Sequence, residues 1–177
     1  MAQPISLAEA KVHLRVDTTA DDNLIEDSIV AAREWAEDYT GLVLTRREVT
    51  ETLPAFSARM RLRAWPIVDD EPILVSYRDT SGVNQSIENA ELNIAARPGL
   101  IFPFLGQQWP WHGTVDGSIY VTFTAGYAGP AEIPKVIKQA MLIMVTAFYE
   151  DREGGEMFGA AESSAMKLCR RYKRRTL

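Results

Sequence analysis

The chain has 177 residues, 46% of them apolar and 24% charged, which is the composition of a soluble globular protein. A single cysteine, Cys169, excludes an internal disulfide framework and is typical of a reducing compartment. No basic segment followed by an apolar stretch opens the chain, and its longest apolar-rich run, AMLIMVTAF, is too short to cross a bilayer. We therefore expect a cytoplasmic protein without a secretory signal or a membrane partner.

The net charge of −5 conceals an unequal distribution along the chain. Six of the 19 basic residues and none of the 24 acidic residues lie after position 166, which leaves 13 bases against 24 acids in the rest. This basic tail consists of Lys167, Arg170, Arg171, Lys173, Arg174 and Arg175. Segregated charge is typical of assembly between copies or with another protein, although basic residues also complement the dipole at a helix C-terminus.

The N-terminal part of the chain predicts two helices separated by an acidic break. SLAE is a capping-box pattern, so the first helix is expected over residues 7–14. Thr19 with Asp22 repeats the pattern before a second helix, which is expected to run to about Thr40 and stop at Gly41. Capping by itself then explains the acidic break, and no metal site is needed.

From residue 42 the apolar period changes from helical to alternating. Short strands are predicted in LVLTRREVTETL, RMRLR, EPILVSYRD, AELNIA, GLIFP and SIYVTFTAGY, with DTSG as a hairpin turn. Short strands separated by turn residues predict a small antiparallel sheet or barrel.

Helical spacing returns after Pro134, in KVIKQAMLIMVTAFYEDRE, which is apolar on almost every side and is therefore expected to be central and buried. GGEMFGAAESS is interpreted as a flexible link, followed by a last helix over residues 164–174. Its inward side chains are expected to be Ala165, Leu168, Cys169 and Tyr172. The predicted fold class is α+β: an N-terminal helix pair, a central small antiparallel β-sheet or barrel, and a C-terminal helix pair.

A search for catalytic and binding motifs finds little. The sequence lacks the phosphate-binding loops GxxxxGK[ST] and GxGxxG, the GxSxG nucleophile elbow and the HExxH zinc motif. Its two histidines, His13 and His112, are far apart, and Cys169 is interpreted as a core residue of an apolar helix face. We expect no catalytic residue, no metal and no cofactor, and hence no enzyme.

FPFLGQQWPWHGTVDG is the most unusual segment because it combines four large aromatic side chains with prolines and glycines. Phe102 and Phe104 are interpreted as packing residues of a rigid loop that closes one end of the sheet. For Trp109 and Trp111 two interpretations stay open, the same packing role or a subunit interface, since exposed aromatics often anchor protein–protein contacts.

SLAEAKVHLRVDTTADDNLIEDSIVAAREWAEDYTG resembles the N-terminal signature of phage head–tail connector proteins, also called adaptors or head-completion proteins. The likeness lies in Ser6, Glu9, Ala10, residues 13–17, Asp21, Asp22, Ala31, Ala32, Arg33, Thr40 and Gly41. YRDTSGV, RPGLIFP with QQWP, and VTFTAGYAGPAEIPKVIKQAMLIMVTAFYEDRE match the longer members in the same order. The resemblance is weakest from GGEMFG onward.

The resemblance implies an accessory ring protein of a tailed phage, a prophage or a gene-transfer particle. Such proteins form a ring of about twelve copies beneath the portal protein, extend the DNA channel and recruit the next neck or tail (stopper) protein. The implied location is the virion neck, after synthesis in the bacterial cytoplasm. The resemblance also implies a single connector domain over residues 1–177, with a helical scaffold at 1–41 and 131–177 and a β-rich insertion at 42–130.

Three partners for the basic tail remain open: packaged DNA, the acidic body of a neighbouring copy, and the portal. The connector resemblance favours docking of the tail onto the portal, since the C-terminal segment often reaches the portal in that family. The alternative is a DNA-binding or packaging accessory module that uses the tail. An acidic body suits a channel through which DNA slides without sequence-specific binding, because it repels phosphates. A sequence-specific DNA-binding module would need a basic recognition helix, whereas both N-terminal helices are acidic.

Overall fold

The structure, a computed structural model, describes residues 3–87, 90–95, 97–110, 114–151 and 155–173. The chain divides into two compact units. One, here called the helical unit, comprises Met1–Thr45 and Tyr127–Leu177, and the other, the strand unit, comprises Arg46–Gly126. Helices at both ends of the chain and antiparallel strands between them confirm the predicted α+β class.

The helical unit is organised around its third helix. Its elements are α1 (Leu7–Leu14), α2 (Asp22–Thr40), α3 (Lys135–Glu150), α4 (Glu156–Cys169) and a 3₁₀ turn (Arg170–Tyr172). Helix α3 packs against the other three α-helices, so its apolar character is matched by neighbours on several sides. Its buried residues are Ile137, Ala140, Met141, Met144, Val145 and Ala147. The predicted central, buried helix is confirmed.

The boundaries of α1 and α2 follow local capping signals. The Ser6 hydroxyl accepts a hydrogen bond from the Glu9 amide at 3.1 Å, and the Ser6 amide donates to the Glu9 carboxylate at 2.9 Å, so the predicted capping box is formed. Arg15 then leaves the helix in the left-handed region, with φ of 58°. Gly41 ends α2 with φ of 64°, as predicted.

The acidic break between α1 and α2 serves tertiary contacts, which corrects the capping interpretation. Helix α2 begins at Asp22 without a side-chain cap. The Asp22 carboxylate instead accepts a hydrogen bond from the Lys11 ammonium at 2.5 Å, which joins α1 to α2. The Asp21 carboxylate accepts one from the Tyr149 hydroxyl of α3 at 2.9 Å. Both acids therefore fix the packing of the helices as well as suiting a helix N-terminus.

Helix α4 begins earlier than predicted. It starts at Glu156 rather than at residue 164, so most of the segment interpreted as a flexible link is helical. The Asp151 carboxylate, at the end of α3, accepts hydrogen bonds from the amides of Gly155 at 3.0 Å and Phe158 at 2.9 Å. Phe158 also packs edge-on against Phe148 of α3, with 5.3 Å between ring centroids. These contacts with α3 compensate for the weak helix preference of the glycines.

The inward face of α4 is narrower than expected. Ala165 and Cys169 are fully buried, and Tyr172 is half-buried. The prediction for Leu168 is wrong, because this side chain is 36% exposed. The helix therefore packs through its small side chains, which permit close approach to its neighbours.

The Asp151 contacts predict a pH-dependent start of α4. The hydrogen bonds from the Gly155 and Phe158 amides lower the pKa of the Asp151 carboxyl below its ordinary value. Their stabilisation is therefore present above about pH 4 and is lost as the pH falls through the lower pKa of the folded state. We expect Asp151→Asn, which retains only one acceptor oxygen, to lower the melting temperature at neutral pH and to flatten its fall in acid.

Hydrogen exchange at the Gly155 and Phe158 amides provides the local measurement, and both should exchange faster in Asp151→Asn. The control is Glu150→Gln, which removes an adjacent exposed carboxylate that has no hydrogen bond to a described residue. Unchanged exchange at both amides in Asp151→Asn would contradict the assignment of this cap.

The strand unit contains two antiparallel sheets. Its strands are β1 (Arg47–Leu53), β2 (Met60–Leu62), β3 (Leu74–Asp79), β4 (Asn84–Ile87), β5 (Ala90–Asn93), β6 (Gly99–Pro103) and β7 (Thr114–Ala125). The four-stranded sheet has the order β1-β7-β3-β4, and the three-stranded sheet has the order β2-β6-β5. The predicted antiparallel pairing is confirmed, but the strands form two sheets.

The strand unit differs from the prediction most clearly at the start of β1 and at β4. Strand β1 begins at Arg47, because the apolar residues before it are buried in the helical unit, where the Leu44 amide donates to the Glu37 carboxylate at 2.6 Å. Strand β4 (NQSI) lacks apolar alternation and was not predicted. It forms because the DTSG turn, with Gly82 at φ of 80°, brings it back along β3. The predicted hairpin turn is confirmed.

Candidate functional site

The described residues contain neither a metal cluster nor a membrane span. No group of three or more His, Cys, Asp or Glu side chains among them is placed to hold a metal ion. None of the helices in the described ranges combines the length and the apolar character that crossing a bilayer requires. The surfaces that carry unusual charge or exposed aromatic character are therefore the places to look for function.

Cys169 lies at the end of α4 and is fully buried. Burial raises the pKa of its thiol to about 11, because the thiolate would be desolvated. The neighbouring basic residues do not offset this effect. Cys169 therefore carries a protonated, shielded thiol, which agrees with its interpretation as a core residue.

The basic tail occupies the end of α4 and the 3₁₀ turn that follows. Lys167, Arg170, Arg171 and Lys173 are all exposed, whereas Arg174 and Arg175 lie outside the described residues. The Arg171 guanidinium donates to the Tyr172 hydroxyl at 2.6 Å. Four exposed cations therefore lie within seven residues at the end of α4.

The basic tail borders an aromatic patch that the sequence did not reveal. Tyr39 and Trp35 of α2 stack with 5.7 Å between ring centroids, and the Lys173 ammonium lies 4.7 Å from the centre of the Tyr39 ring. A groove of about 280 Å³ is lined by Tyr39, by Lys167 of α4 and by Arg170 of the 3₁₀ turn. The end of α2 and the end of α4 therefore present cations and aromatic rings together. The signal in the sequence was the i, i+4 spacing of Trp35 and Tyr39.

Of the two tryptophans predicted as interface candidates, only Trp109 lies within the described residues. Trp109 is half-buried, stacks on Phe56 with 5.2 Å between centroids, and has no hydrogen-bond partner for its buried Nε1 among the described residues. Phe56 in turn meets Tyr77 edge-on at 5.4 Å. Trp111 lies outside the described ranges. Trp109 thus combines a packing role with a partly exposed surface.

The loop after β6 exposes apolar side chains that the packing interpretation placed inside. Phe102 is half-buried, but Phe104 is 48% exposed and the adjacent Leu105 is 84% exposed. The expectation that Phe104 is a packing residue is therefore wrong. A tight turn causes the exposure: the Gln107 amide donates to the Phe104 carbonyl at 2.8 Å, and Gly106 supplies the positive φ of 82° that the turn requires.

Comparisons with solved structures show close similarity over the whole chain. A protein in the neck of an empty GTA particle, computed with C6 symmetry, matches with a TM-score of 0.80 and 25% identity, over 100% of this chain and 95% of that chain. A protein in the neck of a native GTA particle, computed with C12 symmetry, matches with a TM-score of 0.72 and 26% identity, over 99% and 91%. A third match, at 24% identity and a TM-score of 0.77, comes from the virion of a native gene transfer agent (GTA) particle and covers 100% and 94%.

No curated protein matches the chain. The family model for the phage gp6-like head-tail connector protein, in contrast, matches residues 4–167. The matched residues include α1, α2 and α3, the residues of α4 as far as Lys167, and every strand of the strand unit. The protein therefore belongs to the phage gp6-like head-tail connector family and has a structural connector role in a phage-like particle.

Proposed function

We propose that this protein assembles into a ring in the neck of a phage, prophage or gene-transfer particle. The ring joins the portal protein to the next neck or tail (stopper) protein and continues the DNA channel between them. The observation that carries the proposal is full-length similarity to proteins of GTA necks computed with C6 and C12 symmetry. The family is one of structural connectors, and we propose that the chain has no catalytic activity.

We further propose that the chain works as one connector domain. Residues 1–41 and 131–177 would be the scaffold, and residues 42–130 would be a β-rich insertion. Support comes from the chain order, in which helices α1–α2 and α3–α4 flank all seven strands. The scaffold contributes the basic tail, and the insertion contributes the aromatic loop after β6.

The basic tail, in this proposal, docks the ring onto the portal. Its described cations are exposed, and the Lys173 ammonium lies over the Tyr39 ring, a combination suited to an acidic partner surface. The acidic remainder of the chain suits passage of DNA, because like charge prevents phosphates from adhering to the channel. DNA would therefore pass without sequence-specific contact.

Ring formation tests the proposal directly. Light scattering at rising protein concentration and negative-stain images, each with and without the portal, should show closed rings of about twelve copies. Assembly confined to high concentration or to the portal would still agree with a connector. A strict monomer under every one of these conditions would exclude the ring.

The aromatic segment is the proposed place of a subunit contact. We expect the double variant Trp109→Ala, Trp111→Ala to weaken ring assembly, because large aromatic side chains contribute disproportionately to interfaces. Since Trp109 also stacks on Phe56, a second variant, Leu105→Ser, changes the same loop at a side chain that is 84% exposed. Circular dichroism of both variants checks the fold. Rings retained by both variants would reject this surface while leaving the connector role in place.

A further inference from the structure

One face of the three-stranded sheet carries a row of arginines. Met60 and Leu62 of β2 are buried, so Arg61 between them faces the other side. Arg59 and Arg63 directly precede and follow the strand, and all three arginines are exposed. Strand β2 is an edge strand of the sheet. The alternation of arginine with apolar residues in RMRLR is the sequence signal for this arrangement.

The same face continues across the sheet with apolar side chains. In the strand register Arg61 lies opposite Leu100 of β6, and directly opposed residues share a face. Phe102, two residues farther along β6, is therefore on this side as well, and both apolar side chains are half-buried. We call Arg59, Arg61, Arg63, Leu100 and Phe102 the arginine face.

The positive charge of the arginine face is not neutralised within the described residues. None of the three arginine side chains makes a hydrogen bond or an ion pair there. Glu51 accepts hydrogen bonds from the backbone amides of Arg63 and Ala64, at 2.6 to 2.9 Å. Glu91 of β5 lies opposite Phe102 on the same face and accepts a hydrogen bond from the Leu105 amide at 3.2 Å, so the three arginines still outnumber the carboxylates of this face. Charged side chains on an edge strand also discourage unwanted strand pairing. Positive and negative side chains serve that purpose equally well, so it does not explain why all three residues are arginines.

The helical unit carries a surface of opposite charge. Asp27, Glu34 and Asp38 of α2 are exposed and lie within about 40° of one another around the helix axis, on the side away from its buried residues. The Arg33 guanidinium contacts Glu34 at 3.2 Å, while Asp27 and Asp38 have no ion pair with a described residue. We call these three residues the acidic stripe.

The two surfaces also match in length. Arg59 and Arg63 flank β2, and an extended segment from one to the other would cover about 13 Å. Along a helix, residues 27 and 38 are separated by about 16 Å. Three cations in one row can therefore meet three anions in the other with small adjustments of their flexible side chains.

We propose that the arginine face of one subunit binds the acidic stripe of an adjacent copy. This inference rests on the proposed ring and names one of its subunit contacts. Two different complementary surfaces on one chain make a head-to-tail contact, which is the kind that generates rings. Arginine and aromatic side chains together are also enriched in protein interfaces, whereas phosphate binding would not use the apolar centre formed by Leu100 and Phe102.

Charge reversal tests the contact. The first variant is Arg59→Glu, Arg61→Glu, Arg63→Glu, and the second is Asp27→Lys, Glu34→Lys, Asp38→Lys. In either variant by itself, the proposed contact would bring together two surfaces of the same charge. We therefore expect the concentration needed for assembly to rise by more than about tenfold. A 1:1 mixture should assemble again, because each variant's altered surface then meets a complementary surface on the other. The mixed rings should contain the two variants in alternation.

The control reverses two exposed cations of the helical unit that belong to neither surface nor to the basic tail, Arg15→Glu and Lys135→Glu, and should assemble under the same conditions as the natural protein. If each charge-reversed variant assembles by itself at the concentration that the natural protein needs, the proposed contact is wrong, although the proposed ring is not contradicted. Failure of the mixture to assemble would also overturn it. Rings that persist in the arginine variant with lost retention on duplex DNA would identify a phosphate-binding surface instead. If the natural protein never assembles, the ring and this contact both fall.

Discussion

We expect deletion of residues 170–177 to abolish binding to the portal and to leave the fold intact. The deletion begins after Cys169, the last residue of α4, so the buried residues of that helix are retained. It removes five of the six cations of the basic tail and the contact between the Lys173 ammonium and the Tyr39 ring. Surface plasmon resonance with immobilised portal measures the loss. Raised salt should weaken binding of the full-length protein, because screening shortens the range of exposed charges.

A second variant separates charge from chain length. Arg170→Gln, Arg171→Gln, Lys173→Gln retains the full chain and should also lose most portal binding. Its control, Lys135→Gln, changes an exposed cation elsewhere on the helical unit and should bind normally. Portal binding at full strength by the truncated protein would show that the tail assignment is wrong. Loss of tight binding to duplex DNA in its place would identify a nucleic-acid arm.

We expect Phe123→Ala to destabilise the strand unit by about 3–5 kcal/mol, since it removes a large buried side chain and leaves a cavity. Phe123 is 1% exposed and lies on β7, which pairs with both β1 and β3 at the centre of the four-stranded sheet. Its neighbours on the same face of β7, Ile119, Val121 and Ala125, are fully buried. Denaturant unfolding followed by tryptophan fluorescence measures the loss.

Tyr120→Ala, on the opposite face of the same strand, is the control. Tyr120 is 43% exposed, and its truncation should cost within about 1 kcal/mol. Equal losses in the two variants would mean that the two faces of β7 are not divided into a buried side and an exposed side.

Local chemistry in the sequence was sufficient wherever an element's boundary depends on adjacent residues. The capping box of Ser6 and Glu9 defines the start of α1, and Gly41 defines the end of α2. The DTSG turn forms because the Asp79 carboxylate accepts hydrogen bonds from the amides of Ser81 and Val83, each at 2.9 Å. Each of these partners lies within four residues, so composition and spacing predict the contact. The order of the motifs was likewise enough to indicate the connector family.

The candidate surfaces were only partly predictable. The sequence alone identified the cations of the basic tail, because exposure is the usual state of consecutive basic residues. It did not show that Tyr39 lies beside them, since that contact joins α2 to the end of the chain. Nor could it show that Phe104 is exposed, because aromatic residues in a proline-rich loop are equally compatible with packing and with a surface.

Other features of the fold depend on how one element packs against another, and only the tertiary structure shows them. The acidic break looked like a helix cap, but Asp21 binds Tyr149, 128 residues away. Helix α4 begins in a glycine-rich segment because Asp151 caps it and Phe148 packs against it from the preceding helix. Strand β4 has no apolar pattern and forms because it pairs with the edge of β3. Only the contact of Asp21 spans a long stretch of sequence, but in each case the free energy comes from contacts with a neighbouring element, which the propensity of the segment itself does not encode.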